Sequence, residues 1–203
     1  MTWTEASSKD VATKISGGSS FFNSDVFTPS PFMQTIDHIM DSAAANTVGG
    51  FRLGKTTVGA STTNYSYRSA QNNDADLTDR YDKDRIQAGL DGGDNFTVSY
   101  FCNIAGEEKL SISTSVERQG SAPSYPPHAM KCVGKYRGDQ SSQFDIYQKT
   151  AIGYAGGSRD IDVGSNLTVF KDVIAEGLID GTIFYETDTN KSYVLSSNTW
   201  TEL

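Results

Sequence analysis

Along much of this chain apolar and polar residues alternate with a period of two, in short runs broken by polar turns. That pattern constrains the fold more than any other feature. A period of two gives an extended strand one apolar face, whereas a helix needs a period near 3.6. Phe96-Thr97-Val98-Ser99-Tyr100-Phe101-Cys102-Asn103-Ile104 is the clearest strand, rich in β-branched and aromatic residues. Leu110-Ser111-Ile112-Ser113-Thr114-Ser115-Val116 follows across Ala105-Gly106-Glu107-Glu108-Lys109, and the two read as an antiparallel hairpin. Phe51 and Leu53 alternate around Arg52, and Tyr65 and Tyr67 around Ser66. Residues 130–136, 144–147 and 166–170 complete the series. Such spacing predicts an all-β chain, a jelly-roll-like antiparallel β-sandwich.

One segment departs from the period. Phe32, Met33, Ile36, Ile39, Met40 and Ala43 fall on a single helical face, with Ser30 placed to cap it and Pro31 at its first position. The spacing predicts one short helix over residues 31–45. Residues 1–20 are polar and end in Ser16-Gly17-Gly18-Ser19-Ser20, so they read as an arm. The β-sandwich domain is expected over residues 21–170, and a linker with a small C-terminal β-hairpin module over residues 171–203. That module turns at Thr187-Asp188-Thr189-Asn190-Lys191, with aromatics beside the turn and Trp200 near its end.

Composition narrows the function. With 25 acidic against 17 basic residues the net charge is −8, which disfavours nucleic acid as a partner. Every apolar run is far shorter than the roughly 20 residues of a membrane-spanning helix, so membrane insertion is not expected. The N-terminus lacks the pattern of a signal peptide, which suggests a protein made and assembled in a cytoplasm. Cys102 and Cys132 lie in apolar strand contexts and are expected as buried free thiols rather than a disulfide.

Catalytic signals are weak. Asp37 and His38 are adjacent, so they do not converge with Ser42 into a nucleophilic triad. Glu107 and Glu108 are neighbours in a turn, whereas glycoside hydrolysis needs carboxyls converging from separate places. No catalytic residue is expected, and the protein reads as a non-enzyme. Asp74, Asp76 and Asp79, with Asp82 and Asp84, could offer oxygen ligands to Ca2+. Their spacing does not match an EF-hand loop, and Arg80, Lys83 and Arg85 make a solvated, charge-balanced loop the simpler reading. Tyr81, Tyr125 and Tyr154 could stack on sugar rings, although Tyr is equally at home in subunit contacts.

Two stretches carry a resemblance. Residues 96–110, followed by Ala122-Pro123, Val133-Gly134-Lys135-Tyr136 and the Asp145-Ile146 strand, resemble virion structural proteins of tailed viruses of marine bacteria and archaea. The stretch from Gly181-Thr182-Ile183-Phe184-Tyr185 to Trp200 is similar to short end modules of the same proteins. The likeness covers roughly the second half of the chain well and the first half loosely, and its motifs are structural. It implies a surface part of a virion, assembled in the host cytoplasm: a capsid decoration, head-associated or fibre component. Its partners would be other virion proteins and copies of itself, a trimer being a common arrangement for such parts. Trp3, Phe184, Tyr185, Tyr193 and Trp200 are the expected subunit-contact residues. A tail-associated adhesin that binds a receptor or host-surface glycan is the alternative, and a polysaccharide depolymerase ranks behind both.

Overall fold

The computed structural model describes residues 3–16, 19–40, 49–54, 65–72, 78–83, 85–87, 94–104, 106–118, 127–136, 149–155, 160–172, 181–186, 190–196 and 199–203. Every regular element among them is a strand. In chain order these are β1 (Trp3–Asp10), β2 (Ser19–Asn23), β3 (Phe32–Ile39), β4 (Gly49–Gly54), β5 (Tyr65–Gln71), β6 (Thr78–Lys83), β7 (Ile86–Gln87), β8 (Asn95–Cys102), β9 (Lys109–Glu117), β10 (His128–Tyr136), β11 (Lys149–Ala155), β12 (Asn166–Asp172), β13 (Ile183–Glu186), β14 (Lys191–Ser196) and β15 (Thr199–Glu202). The chain divides into two compact units, Trp3–Asp172 and Val173–Leu203.

Eight strands of the larger unit obey one pairing rule. β1 pairs with β12, β2 with β11, β3 with β8 and β4 with β7, each antiparallel. The chain therefore runs out along one side of a long ribbon and returns along the other. Successive rungs fall in different sheets, with β1-β12-β3-β8 in the first and β2-β11-β4-β7 in the second. Two hairpins are inserted into the ribbon, β5–β6 between β4 and β7, and β9–β10 between β8 and β11. They extend the first sheet to eight strands in the order β1-β12-β3-β8-β9-β10-β5-β6.

The two sheets share one hydrophobic core. Phe22, Phe51, Leu53 and Ile86 enter it from the second sheet, and Met33, Phe101, Met130, Leu167 and Val169 from the first. They come close at Gly134 of β10, where an added Cβ would lie 2.7 Å from Ile86 Cγ2. Polar links reinforce it: Leu53 N donates to the Tyr65 hydroxyl at 3.0 Å, and Ser69 Oγ to Gln87 Oε1 at 3.0 Å.

Three expectations change. Phe32–Ile39 is a strand, not the first turns of a helix. Its apolar residues fit both periods, but hydrogen bonding to β8 on one edge and β12 on the other decides for strand. Ser30, expected as a helix cap, is buried and donates Oγ to the Asp172 carbonyl at 3.0 Å. The remaining part of the expected helix, residues 41–45, lies outside the described residues. Trp3–Asp10, expected within an arm, is an edge strand that pairs with β12. The C-terminal module is a three-stranded meander rather than a hairpin, because Thr199–Glu202 adds to β14. Its first turn uses Asn190 at φ 56°, a left-handed conformation that Asn tolerates better than most residues.

The expected strands at Phe96 and Leu110 form a hairpin as read, from Asn95–Cys102 and Lys109–Glu117. The turn between them exposes Glu107 and Glu108, and Lys109 anchors it by donating to the carbonyls of Ile104 and Glu107. The expected strand at 144–147 lies outside the described residues. Gly134→Ala should destabilise the protein by about 1–3 kcal/mol, since the new methyl group must displace Ile86. Thermal unfolding measures it, and an unchanged midpoint would show that this close approach does not join the sheets.

Candidate interaction surface

β9 turns its polar side chains inward. Lys109, Ser111, Ser113, Ser115 and Glu117 are buried, while Leu110, Ile112, Thr114 and Val116 face out. Ile112 is 60 % exposed and Leu110 53 %. β8 follows suit, burying Asn95, Thr97 and Ser99 and exposing Phe96 and Tyr100. Opposed residues of an antiparallel pair share a face, so the registers build rows across the sheet. One outward row runs Tyr100, Ile112, Val133, and another Phe96, Val116, Ala129. The matching inward row is Ser99, Ser113, Cys132, Ser69.

The outward face is therefore apolar over the centre of the sheet. Phe32, Phe96, Tyr100, Leu110, Ile112, Val116 and Val133 are all exposed there. Half-exposed side chains of this size present on the order of 500 Å² together, at the top of the range that monomers leave uncovered. Trp3 of β1 lies on the same face, its ring centroid 6.1 Å from that of Tyr100. Gln34 Nε2 donates to the Tyr100 hydroxyl at 3.1 Å and holds the ring in place.

The inward face bears the opposite cost. Thr35 Oγ1, Ser99 Oγ, Ser113 Oγ and Asp37 Oδ1 are buried without a hydrogen-bond partner. Each such group costs about 1–3 kcal/mol. Burial pushes the Asp37 carboxyl up to about 8, with a hydrogen bond from Thr97 opposing the shift. Near neutral pH this carboxyl is protonated in the folded protein. Asp37 and His38, adjacent in sequence, point to opposite faces of β3, which rules out their acting together there.

The expected contact residues of the C-terminal module divide between its two faces. In the C-terminal meander Phe184, Tyr193 and Trp200 cluster on one face, with Phe184 6.3 Å from Tyr193 and 6.1 Å from Trp200 between ring centroids. Tyr185 alternates to the other face, where its hydroxyl donates to Asn190 Oδ1 at 2.7 Å. Lys191 and Glu202 pair across the sheet at 2.9 Å. Trp3 belongs to the other compact unit. Among the expected glycan contacts, Tyr81 sits on β6 and Tyr154 on β11, while Tyr125 lies outside the described residues. Asp74 and Asp76 also lie outside them, and Asp79 is on β6. Among the described residues no three His, Cys, Asp or Glu side chains converge as a metal-binding group.

The two cysteines are free, and they are not alike. Cys132 is buried on the inward face, and burial pushes its thiol up to about 12. Cys102 is only half-buried, which corrects the expectation that both are buried. It is the register partner of outward-facing Phe32, so the sheet separates the two sulfurs.

Two outcomes follow from this geometry. A group with a raised folded-state pKa binds more protons folded than unfolded, so its stabilising contribution is complete below about pH 4 and is lost as pH rises towards about 8. Asp37→Asn should flatten the fall in melting temperature between about pH 4 and about pH 8; parallel curves for the two proteins would show that Asp37 is not the group responsible. A thiol reagent should modify Cys102 well ahead of Cys132, which should react only on unfolding. Equal rates under native conditions would contradict the burial of Cys132.

No protein-family model, curated protein or solved structure matches this chain. The surface stands on its own geometry.

Proposed function

We propose that this protein is a non-enzymatic structural component of a virion surface, acting through subunit contacts made by the outward face of its eight-stranded sheet. Strand order carries the reading. Without the two inserted hairpins, the remaining strands pair first with last, second with second-last, and so on, and alternate between two four-stranded sheets. That order supports a jelly-roll sandwich, an architecture shared by viral capsid and lectin domains. Fold alone reaches function only by analogy. The exposed apolar rows supply the physical part, since a surface of this kind marks a contact with another macromolecule.

On this reading the Phe184, Tyr193 and Trp200 cluster is a second, smaller contact in the C-terminal module. The acidic excess suits an outer position rather than one facing packaged nucleic acid. The protein would be made in the host cytoplasm and incorporated there.

Mass spectrometry of purified virions from the source, followed by imaging of the particle, tests the proposal. The expected result is this chain at a fixed copy number on the outside of the particle, with the eight-stranded sheet against a neighbour. Its absence from particles would sink the virion reading. Since lectins share the architecture, glycan-array binding without incorporation would favour the adhesin instead.

A further inference from the structure

We propose that a second copy of this chain covers the outward face of the eight-stranded sheet, related to the first by a two-fold axis running along β8. The inference rests on the assembly reading above and names the partner.

Charge on that face is graded across the strands. Glu5 and Asp10 are exposed on β1, at one margin. Lys131 and Lys135 of β10 and Arg68 of β5 line the other side. The outward positions of the four central strands, β3, β8, β9 and β10, carry no carboxylate, although the chain holds 25. Some of the basic margin is already engaged, since Lys135 pairs with Glu108 at 3.0 Å and Arg68 has a partner within its own chain. Lys131 lies within the face, next to the apolar rows.

Register turns this gradient into a symmetry rule. Glu5 pairs with Phe170, Phe170 with Gln34, and Gln34 with Tyr100. Onward from Tyr100 the row runs through Ile112 and Val133 to Arg68. The acid lies three strands to one side of Tyr100 and the base three strands to the other. A half-turn about an axis parallel to β8 keeps height along the strands and reverses strand order. It lays β1 of one copy over β5 of the other, so Glu5 meets Arg68 twice, with Tyr100 on the axis. The other in-plane two-fold, perpendicular to the strands, lays β1 over β1 and sets acid against acid. The charge pattern therefore selects the first.

Area and shape agree. An apolar centre on the order of 500 Å², with its polar margins, approaches the roughly 800 Å² per partner of a standard interface. Stacked sheets pack about 10 Å apart with interdigitated side chains. A contact of this isologous kind closes at two copies, not three.

Sedimentation equilibrium of the full chain tests it. The expected result is a dimer below about 100 µM that weakens with salt. Ile112→Asp should weaken it at least about tenfold. Thr114→Arg, at an exposed position, should do the same and carries the test if Ile112→Asp does not fold by circular dichroism. Glu5→Arg should weaken the dimer, and Glu5→Arg combined with Arg68→Glu should restore it. A monomer at about 100 µM, a trimer, or a dimer indifferent to Thr114→Arg overturns the proposal. Failure of the charge exchange to rescue overturns the two-fold along β8. A monomer in solution that is nevertheless found in virions would remove self-docking and leave the virion reading standing.

Discussion

The four antiparallel pairings of β1 with β12, β2 with β11, β3 with β8 and β4 with β7 are the constraint on which the larger unit depends. Each joins an early segment to a late one, so the N-terminal strand lies on the sheet only after residues 166–172 have arrived. Backbone hydrogen bonds supply the pairing, but they do not choose between sheets. That choice comes from burial: Ile86 fits over Gly134, and the Tyr65 hydroxyl reaches the backbone of Leu53. The inserted hairpins could have stood clear of the ribbon. Instead they continue the first sheet and make it twice as wide as the second.

That widening has a consequence for polarity. On the inward side β9 presents serine at three successive positions, together with Lys109 and Glu117. On the outward side it presents Leu110, Ile112 and Val116. Burying polar side chains, the orphaned Ser113 hydroxyl among them, while exposing aliphatic ones is unfavourable on both faces for an isolated chain. Only the outward cost can be relieved by another molecule. The same strands that hold Asp37 as a neutral acid inside thus create the need for a cover outside.

The C-terminal meander solves a smaller version of the problem. With three strands it is near the lower limit for an independent sheet. It gains from the Phe184, Tyr193 and Trp200 cluster and from the Lys191–Glu202 pair, yet Ile183, Phe184 and Tyr185 remain more than half exposed. Aromatic surface held this openly on a small sheet is suited to contact rather than to core.

Much of this was legible in the residues. Period-two alternation located β4, β5, β8, β9, β10 and β12, and the turn at Thr187–Lys191 located the first hairpin of the module. At β3 the residues are ambiguous: apolar positions 32, 33, 36 and 39 satisfy a helical face as well as a strand, and only the ladders on both edges separate the two. β1 leaves little trace in the residues, because an edge strand with one paired side needs little apolar content. The alternation of Leu110-Ser111-Ile112-Ser113-Thr114-Ser115-Val116 declared that one face of β9 is apolar, but period alone does not say which face meets the core. Local sequence thus determined where strands form and which of their faces are greasy. Tertiary structure alone decided which strands pair over long separations and which face turns inward, because both depend on groups distant in the chain competing for the same buried space.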